Sequence, residues 1–425
     1  MSEVGRPNKS FGTWLRRHSL TLVAALGGAA GVAYAAGSDG SAAPTSQPAI
    51  IATRVPAVPA LAPDLPEPAK PAEPPRDNVQ DTVQIALLLD TSSSMDGLIN
   101  QARSHLWNMV DQMGRMTRVV NGKTRGVKIE LALYEYGNDT VPAKAGHIRQ
   151  VLPFTADLDK VSEKLHALFT NGGEEYAGQA IQTAVTSLKW SSDPDAMKFV
   201  FLAGNESFDQ GAVTAAKAMA VAAKQDINIQ LIHCGTKDPS WEAAAKLAMS
   251  DLMTIDQNQV AVHIPAPQDA EILRLGNELN ATYMAYGDEG GAAIARQAKA
   301  DESSAKLSPK VALERAQLKS KKAYRNDNWD VVDALDKDAT FLDKTADDKL
   351  PAQLRGKTLT EKQQIVAASS AKRAELKAQI AKLEAERNTF LDAERKKAPA
   401  PEASSLESEL MKSTRKTATK KGYKF

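Results

Sequence analysis

The stretch that decides the fold is "IALLLDTSSSMDGLINQA", residues 85–102. Its first five residues are aliphatic, which predicts a buried strand that ends at Asp90. Three serines follow, and a helical pattern begins near Gly97. Serine is a common helix-capping residue, so one interpretation is that Ser92 and Ser94 only start the helix. The other interpretation is that their hydroxyls and the Asp90 carboxylate are directed at one point.

The alternation between apolar runs and helical patterns continues to about residue 300. Apolar runs such as "VKIELALYEYG", "KFVFLAG" and "INIQLIHCG" are separated by segments of helical periodicity. Near-continuous apolar strands between helices indicate a doubly wound α/β fold, with a mostly parallel sheet covered on both faces. We therefore predict an α/β domain over residues 82–300. In such folds ligands bind outside the carboxyl ends of the strands, and Asp90 is at such an end.

The loop "DTSSS", residues 90–94, resembles the D-x-S-x-S motif of the metal-ion-dependent adhesion site in von Willebrand factor type A domains. The strand before the loop and the helix after it match as well, and the likeness covers about half of the chain. The resemblance implies that Asp90, Ser92 and Ser94 bind a divalent cation, with Mg²⁺ preferred and Mn²⁺ or Ca²⁺ as alternatives. Hydroxyl ligands suit a hard divalent ion because they add oxygen atoms without adding charge.

In that family a Thr from a second loop and an Asp from a third complete the site, and a partner's carboxylate often binds the ion. Here the second loop reads "TNGGEEYAG", with Glu174 in the place of the Thr and Glu175 after it. The resemblance therefore implies Glu174 as the ligand from this loop. The alternative is that both glutamates are solvated loop charges.

The third loop departs further from the family's Thr-Asp-Gly. It reads "VFLAGNESF", so that residues 203–205 are Ala, Gly and Asn, and Glu206 follows. We expect Asn205 or Glu206 to supply the third ligand. With Asp90 and Glu174, a carboxylate here would exceed the charge of a divalent ion, so the site should attract an acidic partner less strongly. The alternative is a site that has decayed into a capped turn.

The N-terminal residues carry a targeting pattern. Residues 1–36 combine two adjacent arginines, an apolar stretch and an A-x-A arrangement, which is typical of a secretory signal. The apolar stretch is also nearly long enough for a membrane anchor. Residues 37–81 are rich in Pro and Ala and are predicted to be a disordered linker. We expect an exported protein of the periplasm or cell envelope, free or anchored by an uncleaved N-terminal segment.

The C-terminal part is charged and helical in pattern. In residues 301–398 a row of Leu376, Ile380, Leu383 and Phe390 has coiled-coil-like spacing. Both dimerisation and packing against the chain's own domain would explain this row, so the oligomeric state stays open. Residues 399–425 end in six basic residues among the last fourteen, with no acid. This composition predicts a basic, solvated tail.

Composition and motifs limit the function. The chain has 425 residues, a net charge of +1 and a single cysteine, so neither a nucleic-acid partner nor an internal disulfide is expected. Common motifs of nucleophilic, zinc-peptidase, nucleotide and redox sites are absent from the sequence. We therefore expect a non-enzymatic module that binds a protein partner through a divalent cation, in an exported bacterial-type protein. The alternative is a structural envelope protein that acts through its C-terminal helices, with a stabilising metal or none, and the third is a metal-dependent hydrolase.

Overall fold

The computed structural model describes residues 80–236, 238–256, 258, 263–397 and 405–425. The predicted signal or anchor and nearly all of the predicted linker lie outside these residues. In the part of the chain that is described, no helix has the length and apolar character needed to cross a membrane.

Eight strands and twelve α-helices lie within the described residues. The strands are β1 (Asp81–Asp90), β2 (Arg118–Val120), β3 (Lys123–Arg125), β4 (Val127–Tyr136), β5 (Ile148–Thr155), β6 (Met197–Gly204), β7 (Asn228–Cys234) and β8 (Met253–Ile255). The helices are α1 (Asp96–Gly114), α2 (Leu158–Ala167), α3 (Ala177–Ser187), α4 (Ala215–Ala223), α5 (Pro239–Leu247), α6 (Asp269–Asn280), α7 (Gly290–Leu307), α8 (Pro309–Lys319), α9 (Val331–Lys337), α10 (Phe341–Lys344), α11 (Leu359–Lys397) and α12 (Leu406–Lys420).

Six strands form the central sheet, in the order β5-β4-β1-β6-β7-β8. Every neighbouring pair is parallel except β4 and β5, which are antiparallel. The predicted doubly wound α/β fold with a mostly parallel sheet is therefore confirmed. β2 and β3 form a separate hairpin.

The alternating side chains of β1 show how the sheet is covered on both faces. Ile85, Leu87 and Leu89 belong to one apolar layer, which includes α1. Ala86 and Leu88 belong to the opposite layer, which includes α3. Successive side chains of a strand point to opposite faces, so a strand that is buried on both sides reads as a continuous aliphatic run.

The register of the central strands brings three loops together. In the parallel pairs, Asp90 at the end of β1 lies beside Tyr136 of β4, and Leu89 lies beside Ala203 of β6. The loops after β1, β4 and β6 therefore leave the sheet at the same edge. This edge is the expected position of a ligand site in a parallel sheet.

The C-terminal helices pack on the same domain. Helices α6, α7, α8, α11 and α12 contribute side chains to the apolar layer that contains α1. The predicted domain boundary at residue 300 falls inside α7. The coiled-coil-like row of α11 buries Leu376 and Ile380, and this helix packs against α6, α8 and α9 of its own chain. Of the two alternatives for this row, packing against the chain's own domain is the one that the structure shows.

The predicted solvated tail is wrong for residues 405–425. Helix α12 packs against α1, β7 and β8, and it buries Leu406, Leu410 and Met411. Beyond the helix, the Tyr423 hydroxyl donates a hydrogen bond to Asp81 Oδ2 at 2.9 Å. The basic residues project from a helix whose other face is apolar, and that face contributes to the core.

Candidate metal centre

Asp90 is a fully buried carboxylic acid at the end of the central strand β1. Its Oδ1 accepts a hydrogen bond from the backbone N–H of Ser92 at 2.8 Å. Its Oδ2 is buried and has no hydrogen-bond partner among the described residues. The pKa of Asp90 is raised to about 7, mainly by burial; the nearby charge of Glu175 adds to the rise, and the polar contacts with Ser92 and with the Asn205 backbone oppose it.

Two glycines, Gly204 and Gly137, keep the space around the Asp90 carboxylate free of other side chains. A Cβ on Gly204 would lie 3.1 Å from Asp90 Oδ2, and a Cβ on Gly137 would lie 2.9 Å from Asp90 Oδ1. The side chain of Tyr136 occupies the space that a side chain at position 204 would need, and its hydroxyl donates to the Ala203 carbonyl at 3.0 Å. An acid at position 204, as in the Thr-Asp-Gly loop described above, would therefore not fit beside Tyr136.

The serine loop brings oxygen atoms next to Asp90. The Oγ atoms of Ser92 and Ser94 lie 3.5 Å apart, and Asn205 Nδ2 donates to Ser94 Oγ at 2.9 Å. The Oδ1 of Asn205 is buried and lacks a hydrogen-bond partner within the described part of the chain. Helix α1 begins at Asp96, and its N-cap residue is Met95. Neither serine occupies the N-cap position, so the helix-capping interpretation does not account for them.

The second loop places Glu175, rather than the predicted Glu174, beside Asp90. Glu175 is 8% exposed, whereas Glu174 is exposed to solvent. A Cβ on Gly137 would lie 2.9 Å from Glu175 Cγ as well as from Asp90 Oδ1. Burial raises the pKa of Glu175, and the charges of Glu206 and Glu174 add to this rise.

The predicted third-loop residues lie in different environments. Asn205 joins the serine loop through its side chain, as described above. The Glu206 side chain is exposed, and its backbone carbonyl accepts a hydrogen bond from Trp241 Nε1 at 2.6 Å. His233, on the neighbouring strand β7, is buried, and its Nε2 lies 3.1 Å from the Asn205 carbonyl oxygen. These contacts hold the backbone of the third loop against α5 and β7.

Asn138 joins the loops through hydrogen bonds, and the sequence analysis did not identify it as a residue of the site. This fully buried side chain donates from Nδ2 to the backbone carbonyl of Phe169 at 3.0 Å and lies 3.4 Å from that of Thr91. The backbone N–H of Asn171 donates to the Thr91 carbonyl at 2.9 Å. The signal in the sequence is "YGND", residues 136–139, where a polar turn follows a strand at the same edge of the sheet as Asp90.

The donor set fits a hard divalent cation that is held mainly by neutral oxygens. Among the described residues, no group of three His, Cys, Asp or Glu side chains converges on one metal position. The atoms brought together are instead one buried carboxylate, two hydroxyls and an amide oxygen. Asp90 Oδ2 and Asn205 Oδ1 are buried acceptors without a partner in the described chain, and buried acceptors are normally satisfied. A divalent cation beside Asp90 would satisfy its Oδ2 and stabilise its ionised form.

Comparisons with known proteins agree with the fold. A model of the von Willebrand factor type A domain family matches residues 84–263. A search of the curated proteins finds no match. The matched residues include β1, the serine loop and the loops after β4 and β6. Domains of this family commonly bind a divalent cation at this edge and mediate protein–protein interactions.

Solved structures that resemble the chain include two groups. Proximal thread matrix protein 1 from the mussel byssus is 13% identical, with 41% of each chain covered and a TM-score of 0.31. Another structure of that protein, with a zinc-occupied MIDAS motif, has the same identity, coverage and TM-score. The SpRpn10 VWA domain is 16% identical over 44% of this chain and 100% of its own length, with a TM-score of 0.30.

The chain spans about two fifths of the length of the mussel protein. At TM-scores this low, the likenesses carry no argument about the site. The match of the family model, the order of strands and helices and the parallel sheet agree with one another. Residues 84–263 of this chain form a von Willebrand factor type A (VWA) domain.

Proposed function

We propose that the VWA domain binds a divalent cation, Mg²⁺ by preference, and uses it to bind a protein partner. Asp90, Ser92, Ser94 and Asn205 would hold the cation. The observation that supports this proposal is the buried Asp90 carboxylate, whose Oδ2 lacks a partner in the described chain beside two hydroxyls and an unpartnered amide oxygen. The bound cation would supply a positive centre for an oxygen atom of the partner.

The role is proposed to be non-enzymatic and exported. The lack of a common catalytic motif in the sequence supports a non-enzymatic role. The pattern of residues 1–36 supports export. A structural role carried by the C-terminal helices is less favoured. The apolar faces of α11 and α12 are already buried against the chain's own domain, so they offer little apolar surface to a partner.

Calorimetric titration of the full-length chain with Mg²⁺ and Mn²⁺ tests the cation site. We expect one binding site in the unaltered protein and its loss in Asp90→Asn, which removes the charge and keeps the side-chain size. Lys412→Ala, an exposed change on α12, serves as the control and should bind as the unaltered chain does. The site is disproved if the unaltered chain binds neither cation, or if Asp90→Asn binds them equally well.

The partner-binding half of the proposal needs a separate test. The immobilised full-length chain is incubated with an extract of its source cells in Mg²⁺ or in EDTA, beside immobilised Asp90→Asn. We expect a protein that is retained only by the unaltered chain and only with Mg²⁺. Equal retention in EDTA, or by Asp90→Asn, would show that the contact does not use the cation.

A further inference from the structure

We infer that Glu175 is a direct ligand of the cation, so that the site contains two carboxylates from the chain itself. The inference rests on the proposed cation site and adds to it a residue from the second loop. It replaces Glu174, which the sequence analysis assigned to this role.

The position of the Glu175 side chain supports this role. A single point, a Cβ placed on Gly137, lies 2.9 Å from Glu175 Cγ and 2.9 Å from Asp90 Oδ1. The two side chains therefore border the same small volume at the carboxyl edge of the sheet. Glu174 and Glu206 are exposed to solvent, although Glu206 lies near enough to raise the pKa of Glu175.

The backbone around Glu175 helps to fix this position. Its N–H donates to Gln210 Oε1 at 3.1 Å, and helix α3 begins two residues later at Ala177. On the other side, a Cβ on Gly173 would lie 2.6 Å from the Gly137 carbonyl oxygen, so the second loop packs directly on the loop after β4. Only glycine permits this approach without a shift of the backbone.

The charge of the shared volume also favours a bound cation. Glu175 is 8% exposed and Asp90 is fully buried; the Gln210 side chain hydrogen-bonds the Glu175 carboxylate, but neither carboxylate is paired with a Lys or Arg of the described chain. Two buried carboxylates side by side repel each other, and each loses hydration. A divalent cation between them would neutralise both charges. In addition, Asp90 Oδ2 and Asn205 Oδ1 are already buried acceptors without a partner among the described residues.

A two-carboxylate site has a consequence for partner binding. The cation's charge is balanced within the chain, so the protein should bind the cation tightly without any partner. The bound ion would also attract a partner's acid less than an ion held by one carboxylate.

The test compares Glu175→Gln with Glu174→Gln in the full-length chain. Mn²⁺ and Mg²⁺ affinities are measured by calorimetry, and the melting temperature is measured in EDTA and in Mg²⁺. We expect Glu175→Gln to weaken cation binding by about tenfold or more, as the loss of a ligand should. Glu174→Gln, which removes the same charge one residue away, should bind as the unaltered chain does.

The melting temperatures separate a ligand from a structural residue. In EDTA, Glu175→Gln should melt no lower than the unaltered chain, because the change removes a repulsion from Asp90. In Mg²⁺ it should gain less stability than the unaltered chain. A residue with a merely structural role would lower the melting temperature in EDTA as well.

Each outcome decides between the two proposals. If the unaltered chain binds cations, Asp90→Asn does not, and Glu175→Gln binds as tightly as Glu174→Gln, then Glu175 is not a ligand and the proposed site stands. If the unaltered chain binds no cation, both proposals fail. If both glutamine variants weaken binding equally, the effect comes from general charge, and Glu175 is not a specific ligand.

Discussion

Asp90 combines full burial with a pKa raised to about 7, so at the proposed site protons and the cation would compete for the same carboxylate near neutral pH. The ionised form would bind the cation and the protonated form would not. We expect Mg²⁺ affinity to be constant above about pH 8 and to fall below pH 7, approaching roughly tenfold per pH unit for one competing proton. Calorimetric titration between pH 6 and 8.5 measures this dependence.

Ser94→Ala is the control for this prediction. It removes a neutral hydroxyl near the site, so it should weaken binding while keeping the same dependence on pH. A Mg²⁺ affinity that does not change between pH 6 and pH 8.5 would contradict the prediction. The sign follows from burial, which favours the neutral form of a carboxylic acid and therefore favours the metal-free protein at low pH.

At this scale, the sequence was sufficient for Asp90, Ser92 and Ser94 as candidates, because they follow an aliphatic strand at a predictable edge. It was not sufficient to tell which of Glu174 and Glu175 lies buried beside Asp90. Two adjacent residues in a glycine loop point in different directions, and their directions depend on how Gly173 packs on Gly137. That contact joins segments far apart in the chain, so no local pattern reveals it.

Among the elements, α11 shows how a charged helix can belong to a core. Its side chain Arg373 is 4% exposed in its ion pair with the fully buried Asp330, at 2.7 Å, and it also pairs with Asp333 at 3.0 Å. Its guanidinium lies 4.2 Å from the centre of the Tyr283 ring. These contacts join α11 to the start of α9 and to the loop after α6.

We expect Arg373→Met to destabilise the protein by about 3–5 kcal/mol, because it leaves buried carboxylates without their partner. Arg395→Met is the matched control on the same helix. Arg395 pairs with Asp392 at 3.6 Å with both side chains mostly exposed, so its loss should change stability by no more than about 0.5 kcal/mol. Urea unfolding of the full-length chain measures both. Equal effects of the two changes would show that burial of the pair is unimportant.

The helices and strands that were predicted are recognisable from local sequence patterns, whereas the one that was missed depends on contacts with residues far away in the sequence. Strand β1 and helix α1 have strong local patterns, and both were predicted. Helix α12 was read as part of a tail because the basic residues after Met411 dominate its composition. Its apolar positions Leu406, Leu410 and Met411 find their partners on α1, about 300 residues earlier in the chain. A few apolar residues on one side of a short helix indicate a buried face only when the surface that they pack against is known.

Considered as a whole, the described chain from β1 to residue 425 has its last helix inside the main core. We expect Leu410→Ala to lower the free energy of unfolding by about 2–5 kcal/mol, since Leu410 is fully buried. Lys412→Ala, two residues away and exposed, should have an effect within about 0.5 kcal/mol. Urea unfolding again measures the change. If Leu410→Ala had as small an effect as the control, α12 would contribute little to the stability of the VWA domain.

The position of Asp81, which Tyr423 and Arg118 contact at the amino end of β1, bears on how the molecule would carry a mechanical load. The part of the chain before residue 80, the N-terminal segment, leads directly into this end of the strand. The candidate metal centre is at the other end of β1, nine residues along the strand, or about 30 Å away. A pull between the N-terminal segment and a partner held at Asp90 would run along β1. Because β1 is an extended strand that joins the two points directly, its covalent backbone would carry this force, and its hydrogen bonds to the parallel strands on both sides would not have to break for the connection to hold.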